Sequence, residues 1–561
     1  MTKAFYKVRD IKNVRDIIDS SVELFPDRPA FEIKKGDKHY NITYTQYRND
    51  INAMCNSFIK DGDFTDKRVA VCADNCYEYA LTYISVICSG GVIVPVDKEL
   101  HPDDILGILK VAQASYIFCD KKHLEKISSV IPEDIKIICF NEGEEVLSIN
   151  DFRSAGYDMI EKGIKLWENV EHDIDRMCTL LFTSGTTGTS KGVMLCQKNF
   201  IFEIKAAMGV LKIYPEDCGI SLLPLHHTFE SSIILFFAPY CGAKVTFCEG
   251  FRYVLKNMKE FNPSIFVAVP LVLETVHGRI LRKIRERKNG EFKFKVGKSL
   301  CKFASKFNID LKKVFFKEIQ ETFGGNMRMI ICGGAPIDPQ IIKDFDAFGI
   351  QVVFGYGLTE CAPLAIINHD RCRTTDSIGD PLPGVEAKII NKDENGIGEI
   401  CVKGGMVMNG YYNNPEATAE VIDEEGFFHT GDLGFVDKKG HYHTCGRSKN
   451  VIVTPNGKNI YPEELEYHID HDRFVNSSMV TAKKNKKGED VKIHALIFPE
   501  IEEIRIDLGH EPSEEEIRSY MKRAVDSANE HLASFKKISS FEVKKEDFVR
   551  TTAQKIKRNE N

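Results

Sequence analysis

Two hydrophobic rhythms alternate along most of this chain. Val14, Ile17, Ile18 and Val22 recur at helical spacing, and Pro26 closes that segment. Ile42-Thr43-Tyr44 opens a second helix, which carries Tyr47, Ile51, Met54 and Phe58. Short, mostly apolar runs then appear at residues 68–72, 92–96, 116–119 and 135–139, with helical stretches at 78–88 and 102–112 between them. Strands alternating with helices of about 10–15 residues predict βαβ units and parallel sheets. The same texture continues through the strands at 178–182, 219–223, 243–247, 265–269, 329–332 and 352–354 and a helix at 199–211.

Past Gly379 the pattern breaks into short, turn-rich strands, which predict a small β-barrel. After Gly446 a compact α+β piece follows. Pro462 stands at a first helical position, 475–482 and 492–498 read as a hairpin, 514–529 as a helix and 541–543 as a last strand. The fold class expected is α/β, with a large N-terminal domain of residues 1–448 and a small α+β C-terminal domain of 449–561.

Composition narrows the class. A chain of 561 residues is too long for one ordinary core. Its 43% hydrophobic and 28% charged residues are those of a globular protein in water. A formal net charge of -7 argues against nucleic acid as the main partner. The 17 cysteines are scattered with no C-x-x-C pair, which predicts reduced thiols and a cytoplasmic location. The polar, charged start of the chain is not a secretory signal, and the longest apolar runs are too short or too interrupted to span a bilayer. Membrane contact, if made, is peripheral. The segment from Arg279 to Lys317 is strongly basic, and Leu281, Ile284, Phe303 and Phe307 within it suggest amphipathic helices. Most such runs are solvated helix faces, and a minority bind anionic lipid. Oligomeric state is left open.

The most distinctive stretch is Thr183-Ser184-Gly185-Thr186-Thr187-Gly188-Thr189-Ser190-Lys191-Gly192, directly after a buried strand. Glycines let backbone N–H groups approach an anion, hydroxyls add donors, and Lys191 adds a charge. This is the chemistry of a polyphosphate cradle, and a polar surface hairpin is the plainer alternative. Ser190 precedes the lysine where a Walker A loop requires Gly, and no G-x-G-x-x-G occurs. At a later strand end, Gly355-Tyr356-Gly357-Leu358-Thr359-Glu360 offers an aromatic face for a purine, a hydroxyl for phosphate and a hard oxygen for Mg²⁺.

These two stretches resemble the phosphate loop and the Y-G-x-T-E motif of the AMP-forming acyl- and aryl-CoA synthetases, the adenylate-forming superfamily. The resemblance runs from about Val14 to Arg558, with every motif in order. Gly333-Gly334-Ala335-Pro336 is similar to the family's turn beside the adenine and acyl group, and Thr430-Gly431-Asp432 to its ribose-binding T-G-D. Gly446-Arg447-Ser448-Lys449-Asn450 resembles the hinge, with Arg447 on the ribose and Lys449 at the pivot of a mobile C-terminal domain; the family often has Asp where Asn450 stands. The segment from Arg550 to Arg558 resembles the terminal motif ending in the adenylation lysine, here Lys555, although Gln554 replaces the usual Gly. His227, in an H-x-F/Y pattern with Phe229, falls beside the carboxylate and acyl tunnel by that resemblance, and His226 stands next to it.

The resemblance implies ATP, Mg²⁺ at Glu360, CoA as co-substrate, and catalytic roles for Lys555, Thr359, Glu360 and His227. The segment from Pro270 to Gly325 and the approach to Gly333 look like the long-chain fatty acid branch. Medium-chain or aryl acid ligases and acyl carrier protein ligases would share the ATP motifs. A catalytically silent lipid-binding relative is the alternative from another class.

Overall fold

The computed structural model describes residues 2–143, 146–183, 191–307, 309, 311–370, 374–454, 458–484, 491–551 and 556–558. The chain forms two compact units: Met1–Glu386 with Val402–Phe428, and Ala387–Cys401 with His429–Asn561.

The first unit contains two large sheets. The seven-stranded sheet has the order Gly410–Tyr411, Lys191–Cys196, Met177–Thr183, Val92–Pro95, Arg68–Cys72, Ala114–Cys119, Lys136–Cys139. Its run from Met177–Thr183 to Lys136–Cys139 is parallel. Both faces are covered, so its strands are continuous apolar runs: Val69, Ile93, Ile117 and Leu180 are fully buried. The nine-stranded sheet is parallel from Pro29–Lys35 to Gln351–Tyr356, with antiparallel strands added at both ends.

One edge differs from the sequence expectation. Ile42 and Thr43 end the strand Lys38–Thr43, which pairs with Pro29–Lys35 in an antiparallel hairpin. The helix starts one residue later, at Tyr44, because Thr43 caps it: its hydroxyl accepts from the Gln46 N–H while the Gln46 side chain accepts from the Thr43 N–H.

The second unit holds a three-stranded sheet, Val475–Lys484, Val491–Pro499 and Ser540–Val543, and the helices Pro462–Asp470 and Glu514–Glu530. The predicted hairpin is antiparallel, and the last strand joins it in parallel. Leu465, Ile469, Ile493, Ala495, Ile497, Met521 and Ala524 close its core. Where the sequence predicts a small barrel, the strands order as Glu386–Ile390, Gly398–Lys403, Phe428–Val436 and Tyr442–Arg447. No disulfide joins the described cysteines. Among the described residues, no helix is long and apolar enough to cross a membrane.

Candidate active site

The strands flanking the glycine- and hydroxyl-rich loop pair antiparallel, with Thr183 opposite Lys191. The loop therefore connects a hairpin. Ser184, Gly185, Thr186, Thr187 and Gly188 lie outside the described residues. Lys191 sits at the root, with its ammonium 4.8 Å from the centre of the Tyr411 ring, a cation–π contact. The Tyr411 hydroxyl donates to Glu360 Oε1 at 3.0 Å. Tyr411 thus joins the loop lysine to the carboxylate of the second motif. Burial and the Glu360 charge push the Tyr411 hydroxyl well above the usual tyrosine range, so it remains a donor. Sequence reasoning missed this residue. Its visible signal was an aromatic pair, Tyr411-Tyr412, after Gly410 in a short strand, and nothing local links it to positions 191 or 360.

The two strand-end motifs meet in register. Gly333 pairs with Gly355, so Gly334-Ala335-Pro336 and Tyr356-Gly357 leave adjacent parallel strands at the same end. A side chain at Gly357 would place its Cβ 1.8 Å from the Pro363 carbonyl oxygen, and only glycine fits. Thr359 and Glu360 follow in a short 3₁₀ turn, both half-exposed.

That turn is held from behind by Glu203. The Ser232 hydroxyl donates to the Ala362 carbonyl at 3.1 Å, while Glu203 contacts the Leu364 N–H and the Ser232 hydroxyl. Burial pushes the Glu203 carboxyl well above its ordinary range, against the pull of the two donors it accepts from. Ser232 begins a π-helical turn, Ser232–Phe237, a geometry that recurs at functional sites.

His226 and His227 separate in environment. His226 is buried, with Nε2 3.6 Å from an Asp97 oxygen, and burial holds it well below the usual histidine range. His227 is half-exposed and precedes the short helix Thr228–Ser231. The Phe229 ring lies 3.6 Å from where a Gly333 Cβ would stand, which brings the H-x-F stretch to the glycine turn. Asn75 fixes the approach: its amide donates to Ser221 Oγ at 2.9 Å and the Leu223 carbonyl at 2.7 Å, and its oxygen accepts from the Leu225 N–H at 3.1 Å.

Glu230, beside this stretch, is fully buried; it accepts from the Leu222 N–H at 2.9 Å, and its second oxygen has no hydrogen-bond partner. Burial pushes its carboxyl up from 4.5 to about 8. The folded chain therefore holds a proton there that the unfolded chain releases near 4.5. Its stabilising contribution is complete below that value and is lost as pH rises through about 8. Glu230→Gln is expected to be the more stable form at pH above about 8, by on the order of a few kcal/mol, and to lose that advantage toward acid pH. Thermal melts of both proteins across this range check it. Parallel loss of stability in the two would show that Glu230 does not titrate this way.

In the second unit, Asp432 lies opposite Arg447 on paired strands, and Arg447 Nε donates to Asp432 Oδ1 at 2.9 Å. The turn before it is pinned by Glu399, which accepts from the Gly431 N–H at 2.9 Å, and by the Thr430 hydroxyl on the Ile400 carbonyl at 2.7 Å. Gly446 has φ +137° and its Cβ would stand 2.3 Å from Glu463 Oε2. Asn450 donates to the other oxygen of Glu463 at 2.7 Å. That contact gives the departure from Asp a physical reason, since an aspartate there would face a carboxylate. Burial and the neighbouring Arg447 hold Lys449 below the usual lysine range. Lys555 lies outside the described residues. Close to it in sequence, Arg558 binds both Glu466 oxygens, at 2.7 and 2.6 Å, and the Val480 carbonyl at 3.1 Å.

The fold matches solved acyl-activating enzymes. An anthranilate CoA ligase in complex with anthranoyl-AMP superposes with a TM-score of 0.77 at 20% identity, over 98% of this chain and 96% of that one. A Mycobacterium tuberculosis fatty acyl CoA synthetase gives 0.66 at 20% identity, over 98% and 97%. The model for AMP-binding enzymes matches residues 18–412, and this chain belongs to that family. Long-chain-fatty-acid–CoA ligase 1 of Cavia porcellus is 27% identical over 544 residues, 89% of this chain and 75% of that protein. A chloroplastic long-chain-fatty-acid–[acyl-carrier-protein] ligase of Arabidopsis thaliana is 26% identical over 590 residues, 91% and 79%.

Proposed function

We propose that this chain activates a fatty acid of long chain as acyl-AMP and passes the acyl group to CoA. The observation that carries the reading is the joining of Lys191 and Glu360 through Tyr411, a cation and a carboxylate spaced by one aromatic residue at the root of the hydroxyl-rich loop. In the first step a substrate carboxylate oxygen bonds to the α-phosphorus of ATP and the bond to pyrophosphate breaks. Both reactants are anions, so the protein's task is charge compensation and in-line placement. Lys191 and Lys555 supply positive charge, Thr359 holds the α-phosphate, and Tyr356 stacks on the adenine. Asp432 accepts from the ribose, with Arg447 beside it.

Glu360 suits Mg²⁺: one oxygen is held by Tyr411 and the other remains for a hard cation, which commonly takes one or two carboxylates plus substrate phosphates. Bound there, the ion would neutralise phosphate charge. In the second step the CoA thiol gives up its proton, its sulfur bonds to the acyl carbon, and AMP leaves. His227 and Phe229 border the acyl path. Each methylene buried along it contributes about 0.8 kcal/mol, which favours long acids. That no disulfide joins the described cysteines suits a cytoplasmic setting.

The C-terminal domain, residues 449–561, turns about Lys449 between the steps. Lys449→Pro is expected to spare pyrophosphate release and to impair thioester formation; equal loss in both would remove the hinge role.

The test of the whole reading is pyrophosphate release with ATP and Mg²⁺ across acids from acetate to oleate, with and without CoA. CoA-dependent turnover peaking at long chains is expected. A peak on short or aryl acids would overturn the chain-length reading. Pyrophosphate bursts without CoA turnover would favour a carrier-protein acceptor, the second reading, which the Arabidopsis thaliana relative's name supports. Silence with every acid would leave a lipid-binding relative.

A further inference from the structure

The helix Gly290–Ser305 turns its apolar side outward. Phe292, Val296, Leu300, Phe303 and Phe307 fall in one stripe of roughly 80° at 3.6 residues per turn, the last just past the helix end. They are 70%, 38%, 44%, 62% and 64% exposed, and the Phe303 and Phe307 ring centres lie 5.3 Å apart. Phe303 and Phe307 therefore do not serve a core, as an ordinary solvated helix would require. The core-facing side uses small residues instead: Gly297, Cys301 and Ala304 are buried there. Lys298 and Phe294 complete that inner face, Lys298 by pairing with Asp344 and Phe294 by packing on Phe316 and Phe348, with ring centres 5.9 Å away in each case.

Exposed lysines border the stripe on both sides: Lys293 on one, Lys295, Lys302 and Lys306 on the other. From Arg279 to Lys317 the sequence has fourteen basic and three acidic residues, in a chain of net charge -7. Monomers in water rarely expose a contiguous apolar face of this kind. An apolar stripe with a lysine rim has the form of a helix lying in a bilayer interface, its rings among the acyl chains and its ammonium groups reaching anionic headgroups.

We propose that the Gly290–Ser305 helix is a membrane-surface anchor that binds bilayers carrying anionic lipid. The charge of the rim selects the occupant: a second copy of this chain would bring like charge against like. The proposal is independent of the reaction, because vesicle binding is measured without ATP or acid.

The experiment is co-sedimentation of the whole chain with phosphatidylcholine vesicles, with and without phosphatidylglycerol, at low and high salt. Binding is expected with phosphatidylglycerol, weakened by salt as screening shortens. The variant Phe292→Ser/Phe303→Ser/Phe307→Ser should bind about tenfold less or weaker still, while keeping its melting temperature and its pyrophosphate release on a water-soluble acid. Hydrogen exchange on the unaltered protein should show residues 290–307 protected by these vesicles. Vesicle binding unchanged in the variant, or protection confined to another segment, would overturn the assignment. So would sedimentation of the free protein as a dimer that the triple variant dissolves, with no vesicle binding.

Discussion

Glu360→Gln is expected to slow pyrophosphate release by about 10²–10³-fold, the usual cost of losing one preorganised electrostatic group. The substitution is chosen to be narrow. Glutamine keeps the shape of the side chain and an acceptor for the Tyr411 hydroxyl, which lies 3.0 Å from Oε1. It removes only the charge. If Glu360 holds Mg²⁺ against the phosphates, the loss should shrink as the magnesium concentration is raised, and nucleotide binding in its absence should be unaffected. A variant with the wild-type rate and the wild-type magnesium titration would remove Glu360 from the metal-binding role. Tyr411→Phe should cost far less, about tenfold, because it deletes one hydrogen bond and leaves both charges in place.

The second large effect falls on Lys555. Lys555→Ala should lower acyl-adenylate formation by about 10²–10³-fold. It should leave intact the conversion of supplied acyl-adenylate and CoA to thioester, because the first step alone gathers anionic phosphate oxygens around the reacting centre. Single-turnover assays started from each side separate the steps. Equal damage to both would assign Lys555 a general structural part. The substitution leaves untouched the bonds of Arg558 to Glu466 and the Val480 carbonyl.

Much of this was legible in the sequence because it is local. Mostly apolar runs marked the strands of two-faced sheets, and Val69, Ile93, Ile117 and Leu180 are buried as their pattern required. The Gly355–Glu360 stretch carried its chemistry in consecutive residues, and its register beside Gly333 follows from parallel pairing. The hairpin at Pro29–Lys35 and Lys38–Thr43 was overlooked because Thr43 both ends a strand and caps a helix. Tyr411, Asn75 and Glu203 were invisible for another reason. Each acts on a motif distant in the chain, and one sequence carries no record of which distant residues meet. Phe303 and Phe307 had helical spacing, but periodicity reports that a face exists and is silent on which side the protein lies.

The pairing of Gly410–Tyr411 onto Lys191–Cys196 has a consequence for how the protein is made. Closing so long a loop is slow relative to local folding, because chain entropy must be given up before the contact repays it. A ribosome that has emitted the chain only as far as residue 400 has already delivered Lys191 and Glu360. It has not yet delivered the tyrosine that joins them. The link between Lys191 and Glu360 is thus completed late in synthesis, when most of the first unit is already present to receive it.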